Sequence, residues 1–342
     1  MSLSFLSKTL RKLKVMIEKI YEDLYRIEVP LPDNPLAMLN SYLLCGKERN
    51  LLIDTGFNTE EGKTAMQSAM AALGFSMENT DIFITHAHSD HSGLAGFLSR
   101  PSNTVYCGKY TAETFTKGIK TWDYLYEVLG QSGIDMGEVS MDVDKHIPEK
   151  IDNTSIISEG DYLNVGKWHL HCIDTSGHAP DHFALYDDDR KVLFSGDHIL
   201  SGITPNITLW VPPWDGQNDP LGDYLKNLDK ISELQLDKIF PAHRHTIDDC
   251  YTRINELKQH CNNRLEDILN ILGKNEMSGY QTASLMKWGL RTEWKNFQSV
   301  HKIFAVGEAL SHLTHLVNTG ILRKTMHDDG VVYYSVKDNT TN

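Results

Sequence analysis

The stretch that decides the fold is FITHAHSDHSG, residues 83–93, which places four candidate metal ligands within six positions. In an extended segment, His86 and His88 point to the same side because the side chains of a strand alternate between its two faces. Asp90 and His91 follow at the start of a predicted helix, so their side chains can turn toward a second point nearby. Two imidazoles for one ion, and a carboxylate plus an imidazole for another, predict a two-metal centre.

A two-metal centre needs more than four ligands, and the sequence offers three more after other predicted strands. His178 lies in SGHAPDH, Asp197 in FSGDH and His243 in PAHRH. Gly196, just before Asp197, permits a close approach of the backbone. Because α/β folds gather their sites at the C-terminal ends of strands, we expect these three side chains to converge on residues 86–91.

Length and composition restrict the class of protein. The chain has 342 residues, which predicts one large domain and a smaller one. A net charge of −13 argues against a broad nucleic-acid-binding surface, although a local basic patch stays open. Five cysteines without CxxC spacing indicate reduced, packed thiols in a cytoplasmic protein. Since the sequence has no apolar run long enough to span a bilayer, no membrane partner is expected.

Short β-type runs alternate with helical patterns from Tyr21 to the PAHRH motif, which predicts a layered α/β domain. Residues 109–148 interrupt this pattern and are rich in aromatic residues and methionine. They predict a helical insertion, which either covers a site or simply packs onto the domain. The loop LWVPPWDG presents a similar choice, because Trp210 and Trp214 either wall a substrate pocket or pin a Pro-rich loop.

The C-terminal region has a different pattern. A long amphipathic helix starts near Ile254, and residues 278–289 and 301–319 predict two more helices. ILRKTMHDDGVVYYSV then predicts a hairpin around Asp-Asp-Gly. This order is typical of a winged-helix module. We therefore expect a layered α/β domain at 1–270 and a winged-helix-like domain at 271–342.

The motifs THAHSDH, SGHAPDH, SGD and PAH, preceded by LLIDTG, resemble the metallo-β-lactamase superfamily over residues 40–245. Within it, the chain is most similar to the branch that holds glyoxalase II and the mitochondrial β-lactamase-like endoribonuclease, which also carries a winged-helix-like C-terminal domain. The resemblance implies an αββα sandwich, in which two mixed β-sheets pack face to face with helices outside.

The resemblance also implies the roles of individual residues. The implied set is His86, His88 and His178 for one metal, Asp90, His91 and His243 for the other, Asp197 as the bridge, and Asp54 as a brace of the ligand loops. Asp90 and Asp197 are also the candidate catalytic carboxylates. Zinc suits this set, and manganese or iron would fit it as well. True β-lactamases have cysteine or another residue where Asp197 stands, and flavodiiron reductases have glutamate where His88 stands, so neither antibiotic hydrolysis nor redox chemistry is expected.

The implied function is a dinuclear metal-dependent hydrolase, in which a hydroxide shared by two ions cleaves a small ester or thioester. One alternative is a metal-dependent single-strand endoribonuclease, and another is a non-enzymatic winged-helix regulator with a ligand-sensing hydrolase-like domain. The scattered cations of the C-terminal module, where only Arg323 and Lys324 are adjacent, favour a small-molecule substrate over nucleic acid. The complete ligand set argues against the regulator. The C-terminal module is expected to pack on the first domain or on a second subunit, so a homo-oligomer is one of the alternatives.

Seven further histidines fall into three groups. His182 and His198 flank ligand positions and are interpreted as supporting or packed groups. His245 is interpreted as an exposed loop residue, with a proton donor facing the substrate as the alternative. The expected surface residues are His169 and His171 on a strand, and His312 and His315 on the last helix.

Overall fold

The structure is a computed structural model, which describes residues 15–118, 121–139, 148–209, 218–290 and 292–337. Two β-sheets pack face to face at its centre. The first sheet, whose strands lie side by side in chain order, contains β1 (Ile17–Tyr21), β2 (Leu24–Pro30), β3 (Met38–Leu44), β4 (Asn50–Ile53), β5 (Thr80–Phe83), β6 (Val105–Cys107) and β7 (Thr154–Ile156). The second contains β8 (Tyr162–Val165), β9 (Trp168–Asp174), β10 (Phe183–Asp187), β11 (Val192–Gly196) and β12 (Lys238–Pro241), in reverse order.

Both sheets are mixed. Strands β1 to β4 pair antiparallel and β4 to β7 pair parallel, while in the second sheet only β11 and β12 pair parallel. The helices are α1 (Glu60–Leu73), α2 (Ser89–Ser92), α3 (Ala95–Leu98), α4 (Lys109–Lys117), α5 (Thr121–Gly130), α6 (Pro220–Ser232), α7 (Cys250–Leu272), α8 (Gly279–Leu285) and α9 (Ser299–Asn318). None of these described helices is both long enough and apolar enough to cross a bilayer.

Strand alternation explains the layers. In β11, Val192 and Phe194 face the first sheet, whereas Leu193 faces the helices on the other side. Phe194 meets Tyr42 of β3 at a centroid distance of 5.3 Å, so aromatic rings fill the space between the sheets. Separate apolar clusters lie outside each sheet, under α1 on one side and under α6 and α7 on the other. The predicted αββα sandwich is therefore confirmed.

The C-terminal region packs on the same body through a continuous helix. Ile254 and Leu257 of α7 belong to the cluster over the second sheet, and Ile268 and Leu272 of the same helix belong to the C-terminal core. The described C-terminal strands β13 (Met277–Ser278), β14 (Leu322–Met326) and β15 (Val332–Val336) form a three-stranded sheet in the order β13-β15-β14. The predicted hairpin is confirmed by the antiparallel β14–β15 pair. The boundary at residue 270 stays a prediction and falls inside α7.

The insertion at 109–148 contains helices α4 and α5, as the sequence predicted. Leu125 and Leu129 of α5 pack into the C-terminal core rather than onto the first sheet. Residues 119, 120 and 140–147 of the insertion, and the loop that contains Trp210 and Trp214, lie outside the described residues.

Several short elements and one histidine differ from the sequence interpretation. The sequence did not predict β1, β7 or β8, which have only three to five residues each and little alternation. The prediction that His312 lies on a helix surface is wrong, because its exposed fraction is 2%. Helix α9 contacts α5, α6, α7 and α8, so it is buried on most of its sides. All five cysteines are free and four are buried, as predicted.

Candidate metal centre

The predicted ligands come together at one edge of the sandwich, where five strands end. His86, His88, Asp90 and His91 follow β5, and the others lie after strands of the second sheet: His178 after β9, Asp197 after β11 and His243 after β12. Asp54 follows β4 at the same edge. The motifs are far apart in sequence and converge because the strands that precede them share a direction at this edge.

Three histidines form a first group. The His88 Nδ1 atom lies 2.8 Å from His86 Nε2 and 3.0 Å from His178 Nε2. All three rings therefore direct a nitrogen to one point. Their mutual distances are those of atoms that share a proton or a cation, since lone pairs that face each other repel.

A second group lies beside the first. The His243 Nε2 atom is 3.4 Å from Asp90 Oδ2, and His91 Nε2 is 3.8 Å from that oxygen. Asp197 lies between the groups, because its Oδ1 atom is 3.5 Å from the Nε2 atoms of both His91 and His243, and its Oδ2 atom is 3.6 Å from Nε2 of His178. A carboxylate in this position can contact ions at both groups.

Three of these converging atoms are buried polar groups without a hydrogen-bond partner: Nε2 of His91, Nε2 of His243 and Oδ1 of Asp197. An unsatisfied buried polar group is costly, and each such group in a native fold requires an explanation. Two imidazole nitrogens and a carboxylate oxygen at these separations form a donor set that suits a divalent transition metal. The residues present therefore fit a metal centre.

The Nδ1 atoms of three of these rings, those of His91, His178 and His243, contact oxygen acceptors. His178 Nδ1 donates to the Asn206 carbonyl at 2.8 Å and His243 Nδ1 donates to the Met38 carbonyl at 2.9 Å. A carbonyl can only accept, so Nδ1 carries the proton and Nε2 keeps its lone pair for a cation. His91 Nδ1 lies 2.8 Å from Asp54 Oδ2 and has the same orientation.

Asp54 braces the 83–93 stretch, as the resemblance implied. Its carboxylate accepts hydrogen bonds from the Thr85 amide at 2.9 Å and the Thr85 hydroxyl at 2.9 Å. The Thr85 hydroxyl in turn can accept from His86 Nδ1 at 3.0 Å. Asp54 has a φ of 56°, a left-handed conformation that costs free energy in a non-glycine residue and is typical of functional sites. One carboxylate thus orients ligands of both groups.

Burial and charge set the protonation of the first group and of Asp197. Burial, together with the neighbouring His91 and His88 rings, holds the pKa of His86 well below its usual value, and burial beside His178 lowers the pKa of His88 to about 3. Burial alone would raise the pKa of Asp197, but the rings of His243 and His91 hold it well below the usual range. His86 and His88 are therefore neutral imidazoles, and the Asp197 carboxylate is ionised.

His182 supports Asp197 from behind. Its Nε2 atom accepts a hydrogen bond from the Asp197 amide at 3.0 Å, and its Nδ1 atom lies 2.7 Å from the Thr175 hydroxyl. Gly196 has a φ of 50°, and a Cβ atom there would lie 2.5 Å from His182 Nε2. The predicted close approach at Gly196 and the supporting role of His182 are both present.

The remaining histidines mostly follow the sequence interpretation. His198 is buried and packed, with its ring centroid 5.0 Å from that of Tyr224, while His245 and His169 are exposed. His171 is partly exposed and pairs with Asp188. His315 lies 3.0 Å from Asp219, the N-cap residue of α6, so it connects two helices rather than facing solvent alone.

The sequence interpretation missed Asn206, whose carbonyl holds His178. Asn206 lies in the loop after β11, where no motif marks it, and its contact depends on backbone position rather than on side-chain type. The Met38 carbonyl was missed for the same reason.

Comparisons with known proteins agree with this geometry. Residues 36–243 match the family model described as the metallo-β-lactamase superfamily, and residues 295–337 match the model described as the metallo-β-lactamase-like C-terminal domain. The chain is 27% identical to the β-lactamase-like protein 2 homolog of Caenorhabditis elegans over 321 residues, which cover 92% of this chain and 88% of that protein.

Two further proteins are informative. The human acyl-coenzyme A thioesterase MBLAC2 is 26% identical over 221 residues, which cover 60% of this chain and 73% of that protein. The crystal structure of the metallo-β-lactamase family protein TTHA1429 from Thermus thermophilus superposes with a TM-score of 0.78 at 25% identity, covering 93% of this chain and all of that one. The chain therefore belongs to the metallo-β-lactamase superfamily and is a hydrolase of that superfamily.

Proposed function

We propose that this protein is a dinuclear metal-dependent hydrolase that cleaves a small ester or thioester. The observation that carries the proposal is the set of buried, unpartnered atoms on His91, His243 and Asp197, which face one another beside the three-histidine group. We assign His86, His88 and His178 to one cation, Asp90, His91 and His243 to the other, and Asp197 to both. Zinc is the metal we propose, with manganese and iron as the competing candidates.

The protein's own residues prepare the centre for hydrolysis. When bound, the two cations supply Lewis acidity that polarises a carbonyl and lowers the pKa of water. Asp90 and Asp197 supply the negative charge of the centre and are the groups that we assign to orient the attacking water and accept its proton. Asp54 keeps His91 in the tautomer that leaves Nε2 free. Burial lowers the pKa of His86 and His88, so these two rings are neutral and repel no cation.

A thioester is the substrate class that we favour. The similarity to a human protein named as an acyl-coenzyme A thioesterase supports it, and the match extends through most of that protein. We also propose that α8, α9 and the three-stranded sheet, within residues 271–342, form a winged-helix-like domain. RNA is less favoured, because Arg264 of α7 is buried and pairs with Glu308, so its guanidinium is not available to phosphate.

Metal analysis combined with a substrate panel tests this proposal. Purified protein is expected to contain two equivalents of metal and to hydrolyse members of a panel of thioesters, esters and phosphodiesters, with thioesters fastest. His88→Ala and Asp197→Ala should each lose bound metal and lower kcat by at least about 10²-fold, because each removes a group that contacts the centre. His169→Ala is the matched control, because it changes an exposed histidine and should alter neither quantity.

Several outcomes would contradict the proposal. Full activity in both the His88→Ala and Asp197→Ala proteins would refute the assigned centre. Protein that binds no cation under any loading condition would refute the metal-dependent mechanism. Faster cleavage of single-stranded RNA than of any thioester or ester would favour the endoribonuclease.

A further inference from the structure

The segment that holds His178 is itself attached to the C-terminal region. Asn206 accepts the Nδ1 proton of His178 through its backbone carbonyl, and its side chain points the other way, toward α9. Its Nδ2 atom donates to Glu308 Oε2 at 2.8 Å and to the Phe304 carbonyl at 3.4 Å. Its Oδ1 atom accepts a hydrogen bond from the Thr208 hydroxyl. Both ends of the amide group therefore have partners, which fixes the position of this residue.

Glu308 is in turn held by α7. Its other carboxylate oxygen, Oε1, lies 2.8 Å from Nε of Arg264, and the two side chains are only 15% and 11% exposed. The Arg264 guanidinium stacks on the Trp288 ring at 4.3 Å and donates to the Lys287 carbonyl at 3.2 Å. Removal of one member of a buried ion pair is costly, because it leaves the other charge buried and unpaired.

Backbone contacts align the same segment with α9. The Leu209 amide donates to the Gly307 carbonyl at 3.1 Å. A Cβ atom at Gly307 would lie 2.7 Å from Cγ2 of Thr208, so the helix can approach this closely only with glycine at that position. The residues from Asn206 to Leu209 thus lie directly on α9.

We propose that Glu308 is a positioning residue for the metal centre, because it fixes Asn206 and thereby the orientation of His178. The C-terminal region then completes the three-histidine group from outside, through the path Arg264, Glu308, Asn206 and His178. The inference rests on the proposed function, since it assumes that the three-histidine group binds a cation. Loss of an outer hydrogen bond to a ligand ring typically changes metal affinity by about 10–100-fold, and Glu308 acts on the His178 hydrogen bond through Asn206.

The test measures zinc affinity by competition with a chromophoric chelator, and cobalt absorption as a second report on ligand geometry. Glu308→Ala is expected to raise one of the two zinc dissociation constants by about 10-fold or more and to leave the other nearly unchanged. Glu308→Gln keeps an acceptor for Asn206 and should restore part of the loss. Glu266→Ala is the matched control, because Glu266 is an exposed acid on α7, and it should change neither constant.

A second variant keeps the test independent of folding defects. Asn206→Ala retains the backbone carbonyl that contacts His178 but loses the side-chain amide that holds this residue on α9. It should therefore raise the same zinc dissociation constant as Glu308→Ala. In the double variant, the fold-change in the zinc dissociation constant should be smaller than the product of the two single fold-changes, because both substitutions remove the same Asn206–Glu308 hydrogen bond. The inference would be overturned if both zinc dissociation constants of Asn206→Ala lie within twofold of the wild-type values. It would also be overturned if the fold-change of the double variant equals the product of the two single fold-changes. Wild-type protein that binds no zinc would instead contradict the proposed function.

Discussion

Gly196→Ala is the change whose consequence the structure defines best, because the new methyl group has a specified neighbour. A Cβ atom at this position would lie 2.5 Å from His182 Nε2, 2.8 Å from His182 Cε1 and 3.0 Å from Thr85 Cβ. The φ of 50° also lies in the left-handed region, which costs an alanine about 1–2 kcal/mol. Overpacking of a buried site typically adds about 1–3 kcal/mol. We therefore expect the free energy of unfolding to fall by about 2–5 kcal/mol.

The change should also reach the metal centre. His182 Nε2 accepts the hydrogen bond of the Asp197 amide, so displacement of the ring moves the residue that lies between the two groups. We expect a loss of zinc affinity of about 10-fold or more. Urea unfolding of the metal-free protein measures the first effect, and chelator competition on the folded protein measures the second.

Gly74→Ala separates backbone strain from the close contact. Gly74 has a φ of 70° at the end of α1, and its Cβ position has no neighbour within 4 Å. This control should cost about 1–2 kcal/mol and leave zinc affinity unchanged. If Gly196→Ala destabilises no more than Gly74→Ala and binds zinc as the wild type does, the steric reasoning is wrong.

Three further predictions concern the same centre. Asp54→Asn should weaken zinc binding by about 10–100-fold in chelator competition, because its amide group would face His91 Nδ1 and favour the tautomer with a proton on Nε2. Asp81→Asn is the control, because it alters a carboxylate that pairs with Arg49. Equal zinc affinities in the two variants would contradict the role of Asp54. Arg253→Ala should lower the unfolding free energy by about 2 kcal/mol in urea titrations, since the Leu200 and Ile203 carbonyls lose a charged donor, and an unchanged midpoint would refute it. Removal of metal with a chelator should lower the free energy of unfolding by about 2.7 kcal/mol for each zinc site, relative to protein with free zinc at 100 times the dissociation constant of that site. Equal melting temperatures would show that no cation binds the folded state preferentially.

The parts of this protein that the sequence could predict are those with a local signature. His86, His88, Asp90 and His91 are close together in the chain, and their dense spacing marks a site without any knowledge of the fold. His178, Asp197 and His243 could be added because each follows an apolar run that ends in a turn, and strand ends converge in this fold class. The alternation of strand and helix patterns predicts a layered α/β domain, and the αββα arrangement is implied by the family resemblance.

What the sequence could not predict depends on contacts between distant residues. The hydrogen bond between Asn206 and Glu308 joins positions 102 residues apart, and neither lies in a motif. His312 has the sequence surroundings of a helix-surface residue, yet it is buried because α9 has helices on several sides. The short strand β7 pairs at the edge of the first sheet with only three residues, so no periodicity could reveal it.

The C-terminal region contributes to the centre through helix α7, two of whose arginine side chains bond to groups within the protein. This helix begins seven residues after His243, and its Arg253 holds the loop after β11 by the Leu200 and Ile203 carbonyls. About three turns further, its Arg264 pairs with Glu308, which accepts a hydrogen bond from Asn206 in the same loop. A guanidinium that is bonded to carbonyls or to a buried carboxylate is unavailable to phosphate groups of a nucleic acid. The partners of these two arginines support our proposal that the C-terminal region shapes a small-molecule site rather than an RNA-binding surface.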